Sequence, residues 1–146
     1  MKRDWYSIIK RNLEIEHERE VAINDLIEWN HFEIKDAQGP YKIKIGVQET
    51  RIIFNIDTEN SAETIVISII LSPFRSIIRD YFLICEGYFD ALKTGNLPRI
   101  EAIDMSRRGL HNEGADLLVS LTQDKIIMDS ETARRLFTLI CSLHLK

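Results

Sequence analysis

The sequence predicts an α+β fold: a three-stranded antiparallel β-meander packed with four or five α-helices. Three features carry that expectation. Between Tyr41 and Leu71 apolar residues recur at every second position. On both sides of that stretch they recur at three- and four-residue spacing. Turn and cap residues, chiefly Gly, Pro, Ser and Asp, punctuate the changes of pattern.

Residues 13–30 read as the first helix, with Ile15, Arg19, Ala22, Leu26 and Trp29 on one stripe and Asn12 as its N-cap. Glu14, Glu16, Glu18 and Glu20 crowd its start, where carboxylates favour the positive end of the helix dipole. Tyr41, Ile43, Ile45 and Val47 then alternate with Lys42, Lys44 and Gly46, a half-buried strand opened by Gly39-Pro40. Gln48-Glu49-Thr50 reverses the chain into Ile52, Phe54 and Ile56, and the polar run from Thr58 to Ala62 reverses it again. The third strand, Ile65 to Leu71, is apolar on both faces and is expected in the middle of the packing. Ser72-Pro73 signals a long helix that stops at Gly95-Asn96. Pro98 opens a third helix that Gly109 should end, and a fourth follows from about Asn112. Ile126 to Met128 suits a short strand, and Asp129 or Ser130 caps a last helix.

Composition narrows the class. The 146 residues are 45% hydrophobic and 29% charged, with a net charge of −4. That is too apolar for a disordered chain and is the size of a single globular domain over 1–146, with 1–12 irregular. Six Lys+Arg against nine Asp+Glu in residues 1–36 make the acidity mainly N-terminal, whereas residues 72–146 hold ten of each. The overall acidity disfavours nucleic acid as a partner. The first residues lack the apolar core of a secretory signal, and no apolar run approaches the length of a membrane span. The expected location is therefore cytoplasmic, with Cys85 and Cys141 as reduced, buried thiols.

The densest polar segment holds Arg107, Arg108, His111, Asn112 and Glu113 around a glycine. Paired guanidiniums match phosphate or carboxylate, while His111 and Glu113 could hold or move a proton. The same residues also read as a helix–turn–helix joint whose arginines pair with nearby acids. Glu14, His17 and Glu18 sit on one turn like metal ligands, but no second histidine follows at the needed spacing. A solvated, dipole-compensating face explains them more simply, so neither a metal nor a cofactor is expected.

Several exact runs resemble the uncharacterised alphaproteobacterial family UPF0262. They include Ile15-Glu16-His17-Glu18-Arg19, Leu71-Ser72-Pro73-Phe74-Arg75 and Asp80-Tyr81-Phe82-Leu83-Ile84-Cys85-Glu86. Arg107-Arg108-Gly109-Leu110-His111-Asn112-Glu113-Gly114 and the stretch from Thr132 to Cys141 belong with them. The resemblance brings no activity with it and so assigns no residue a role. Polar groups are costly when buried alone, so His17, Glu18 and the Arg107–Glu113 turn are expected to meet at one site. The leading expectation is a binding or regulatory domain that recognises a small anionic ligand or a protein partner there. The alternatives are an enzyme on a phosphorylated or carboxylated small molecule, with His111 or Glu113 carrying the proton, and a structural homo-oligomer subunit.

Overall fold

A computed structural model describes residues 5–59 and 61–144, with side chains from residue 13 onward. The chain is α+β, as the change of period predicts. In order it forms α1 (Trp5–Glu28), β1 (Phe32–Ile34), β2 (Tyr41–Gln48), β3 (Arg51–Thr58), β4 (Ile65–Ile70), α2 (Arg75–Thr94), α3 (Leu97–Thr122), β5 (Ile126–Met128) and α4 (Ser130–Ser142). Strands β2, β3 and β4 make the meander, in that spatial order. A two-residue loop joins β2 to β3, with Gln48 opposite Arg51 and Glu49 at a positive φ of 54°. Strands β1 and β5 form a separate antiparallel pair, with Glu33 opposite Ile127. Each strand of this pair is three residues long, and of the two only β5 is expected from the sequence.

The inner face of the sheet is what alternation promises. Ile52, Phe54 and Ile56 of β3 and Ile67 and Ile69 of β4 are buried. They join Tyr81 and Ile78 of α2, Leu118 of α3, Phe137 and Ile140 of α4 and Ile15 of α1 in one apolar cluster. The placement of β4 is a correction. It is an edge strand, not the middle one, and its second apolar face stays open, with Val66 56% and Ile70 49% exposed. The central place falls to β3, whose buried positions face helices while Arg51 and Asp57 lie on the other face.

Helix ends follow their chemistry, with exceptions. Gly95 stops α2 in the left-handed conformation, at φ 65°. The Asn96 side chain accepts the Arg99 N–H to start α3, and Asp129 accepts the Thr132 N–H to start α4. Ser72-Pro73-Phe74 is a 3-10 turn ahead of α2, so Ser72 is not the helix cap. Asn12 lies inside α1, which is already helical at Trp5; residues 1–4 of the segment expected to be irregular lie outside the described residues.

The largest correction concerns α3. The expected third and fourth helices are one unbroken helix that runs through Gly109, where an added Cβ would meet nothing within 4 Å. A glycine in mid-helix costs stability but does not end the helix. Five residues on, Gly114 does have a packing reason: an ideal Cβ there would lie 2.5–2.6 Å from three ring carbons of Phe137. The small residue lets α4 press its phenylalanine against the α3 backbone. Among the described residues no helix is long and apolar enough to cross a membrane.

Candidate functional site

Because Arg107 to Glu113 is helical, its side chains fan out around α3 instead of converging as they would from a turn. Asp104, Arg107 and His111 share a face, by spacing of three and four, and are partly buried. Arg108, Asn112 and Glu113 are exposed on other faces. His17 is exposed on α1, whereas Glu18, one residue later, turns inward. Of the residues expected to meet, the structure thus brings Glu18, Arg107 and His111 to one face of the α1–α3 contact.

Arg107 is the hub of that contact. Its Nη1 donates to Glu14 Oε1 at 3.2 Å and to Glu18 Oε1 at 2.7 Å, and its Nη2 donates to Asp104 Oδ1 at 2.5 Å. The guanidinium carbon lies 4.8 Å from the Tyr88 ring centroid of α2. One cation therefore joins α1, α2 and α3 through charge-assisted bonds and a cation–π contact. Burial opposes its charge, but Glu18, Asp104 and Glu14 together outweigh that and hold its pKa above the usual arginine value. Three carboxylates around one guanidinium leave negative charge in excess. Burial and the neighbouring Glu18 push the Glu14 carboxyl above the ordinary carboxylate range, against the pull of Arg107. Three of the five guanidinium N–H groups are thereby committed to carboxylates of the same molecule.

His111 occupies an aromatic niche one turn further on. Its ring centroid is 5.4 Å from that of Tyr81 and 6.4 Å from that of Phe137, and its Nε2 lies 3.4 Å from Thr138 Oγ1. Burial, then the positive charges of Arg107 and Arg134, lower its pKa to about 4, so the imidazole is neutral at pH 7. Burial raises both thiols, that of Cys85 to about 12, as it also raises the Tyr81 phenol. These are core groups and not poised nucleophiles. Thr138 and His111 border a small cleft of about 200 Å³ that also takes in Arg134 and Arg135 of α4 and Glu18, Asp25 and Glu131. Among the described residues, no group of three or more His, Cys, Asp or Glu is arranged to hold a metal ion.

A larger concavity lies elsewhere. A groove of about 800 Å³ runs between the C-terminal half of α1, the inner face of β2 and the end of α4. Ile23 and Ile27, Ile43 and Ile45, and Leu139 and Leu143 line it from the three sides. Arg19, Asn30, Glu33 and Ser142 are among its polar residues. Ile27 is 76% and Trp29 65% exposed at this end of α1, the place where the helical stripe predicted burial of Trp29. The sequence reading missed the groove because each lining residue looks like ordinary core. Only the assembled elements show that β2 is covered less completely than β3.

These parts define an α+β protein whose helices share an internal ion-pair hub and whose sheet leaves an apolar groove open beside them. Comparison with known proteins supplies the family: the chain belongs to UPF0262, described as an uncharacterised protein family, whose model matches residues 1–146. It is 48% identical over 141 residues to a UPF0262 protein of Rhodospirillum rubrum, covering 97% of this chain and 88% of that one. A UPF0262 protein of Jannaschia sp. is 53% identical over 134 residues, 90% of this chain and 86% of the relative. One from Paramagnetospirillum magneticum is 49% identical over 139 residues, 94% and 88% of the two chains. No solved structure matches the chain.

Proposed function

We propose that this protein is a binding module that recognises a partner through the apolar groove between α1, β2 and α4. The single observation that supports this most is the groove itself. It has the volume of a ligand-binding cleft, apolar walls and a few polar residues along its length. Isoleucines and leucines left open to water at that scale favour an occupant that buries them. The hub formed by Arg107 serves the same function indirectly, by fixing α1 against α3 so that the groove wall keeps its shape.

The test uses the neutral solvatochromic dye Nile red as an apolar probe. The folded protein should bind it with a blue-shifted emission, and Ile43→Glu and Leu139→Glu should each abolish the signal while a thermal melt shows them folded. Val66→Glu, on the opposite face of the sheet, should leave it unchanged. Dye binding that ignores both groove substitutions, or no binding at all, refutes the reading.

The reading of a small-anion site has one specific observation in its favour, and it moves the site away from Arg107 and Arg108. Arg135 Nη1 is buried without a hydrogen-bond partner beside the His111 cleft, although Asp25 lies 3.6 Å from the Nε of the same guanidinium. Under this reading neutral His111, Thr138 and Arg135 hold a carboxylate or phosphate, and His111 is the proton carrier if chemistry follows. Inorganic phosphate should then raise the melting temperature of the wild type and not of Arg135→Gln. An equal response in both proteins removes this alternative.

A further inference from the structure

The open edge of the sheet lies along the same groove. The two-residue hairpin makes Gln48 and Arg51 a hydrogen-bonded pair, so Lys42, Lys44, Gly46 and Gln48 direct their peptide groups toward β3. By alternation, the N–H and C=O groups of Tyr41, Ile43, Ile45 and Val47 face the other way. Among the described residues no strand pairs with β2 on that side. These four residues also send their side chains to the inner face, where Ile43 and Ile45 form the wall of the groove. The free backbone edge and the apolar floor therefore belong to one strand and run side by side.

The opposite face of β2 carries the charge. Lys42 and Lys44 are exposed there, and Asp57 is the cross-strand neighbour of Lys42 only. Lysines on an edge strand oppose pairing with another copy of the same edge, since like charges would stand opposite one another. The same lysines favour a strand that places carboxylates beside them. A strand laid along β2 would alternate as β2 does, with one set of side chains dropping into the groove and the other standing next to Lys42 and Lys44.

Resting on the groove-binding reading, we propose that the occupant is an extended peptide segment that adds to the β2 edge, with apolar side chains alternating with acidic ones. Main-chain hydrogen bonds to the residues from Tyr41 to Val47 would supply the register, the groove would take the apolar set, and the lysines would select the acidic set.

The experiment uses an eight-residue peptide of alternating valine and glutamate, labelled for fluorescence anisotropy, with the full chain. It should bind, and amide exchange should slow at Tyr41, Ile43, Ile45 and Val47. Methylating alternate peptide nitrogens should weaken binding at least ~10-fold, because those groups can no longer donate to the edge. The double variant K42E/K44E should lose affinity by a similar factor and recover it for a valine–lysine peptide. Binding that tolerates every methylated register, or that ignores the sign of the peptide charge, overturns the proposal. So does a dimer by sedimentation that Ile43→Glu dissolves, or dodecanoate binding where no peptide binds. If Nile red still occupies the groove while the peptide does not bind, this inference fails and the groove reading stands. If neither binds, both fail.

Discussion

The same substitution at two glycines of α3 should have opposite effects. Gly109 and Gly114 are five residues apart in one helix, and replacing either by alanine gains about 1 kcal/mol of helix propensity. At Gly109 the new methyl meets nothing within 4 Å, so that gain is the whole effect. At Gly114 the methyl would sit 2.5 Å from Cδ2 and Cε2 and 2.6 Å from Cγ of Phe137. Carbon atoms need about 3.5 Å, so the ring must retreat by ~1 Å. Rotating the ring cannot clear Cγ, which is fixed next to the α4 backbone. Retreat is also blocked, since Phe137 is fully buried with Phe74, Tyr81 and His111 around it. Overpacking of this kind costs about 1–3 kcal/mol, and the upper end applies here. The net loss is then about 2 kcal/mol. At ~2–4 °C per kcal/mol for a chain of this size, Gly114→Ala should melt ~4–8 °C below wild type and Gly109→Ala ~2–4 °C above it. Paired thermal and urea unfolding of the three proteins measures both signs. A Gly114→Ala protein as stable as wild type would refute the close α3–α4 packing, and a destabilised Gly109→Ala would refute the continuous helix.

Three further outcomes follow from the buried polar groups. Arg107→Ala leaves Glu14, Glu18 and Asp104 together without their cation and should cost about 3 kcal/mol in urea unfolding; Arg107→Met with Glu14→Gln and Glu18→Met should recover most of it. His111 is held near pKa 4 in the native state against 6.5 unfolded, so its contribution is complete above pH 6.5 and is lost as pH falls toward 4, by about 3 kcal/mol. The raised Glu14 carboxyl acts in the opposite sense, adding stability as pH falls toward 4.5, so His111→Gln should flatten the acid limb and Glu14→Gln should steepen it. Cys85 and Cys141, buried with raised thiol pKa values, should resist Ellman's reagent in the native protein and react fully in 6 M guanidinium; rapid native labelling of either would contradict the core described for α2 and α4.

What could be read from the sequence divides along a physical line. The meander, α2 and α4 bury apolar residues at regular intervals, so period and caps alone announce them. The middle of α3 turns Asp104, Arg107 and His111 partly inward, and a half-buried polar face carries no apolar period. With Gly109 beside it, that stretch read as a break between helices. The pairing of Glu18 with Arg107 could be suspected from the cost of burying charge, but not which atoms meet, since 89 residues separate them. His17 and Glu18 are neighbours in sequence and differ by about 100° around α1, enough to put one in solvent and the other at the hub. The groove was illegible for a different reason: its isoleucines and leucines differ from core residues only in what fails to cover them.

The order in which the chain is made bears on the hub and on the small sheet. Glu14 and Glu18 wait for a cation 93 and 89 positions later, and Phe32–Ile34 waits for Ile126–Met128. At about 5–20 residues per second, α1 leaves the ribosome many seconds before the elements that cover Ile15 and Ala22. Through that interval it is an amphipathic helix with an unsheltered apolar face. Chains cut before Ser130 have α2 to cover part of that face but lack α4, its other packing partner, which makes interrupted synthesis, more than unfolding of the finished protein, the stage at which aggregation or chaperone capture would begin.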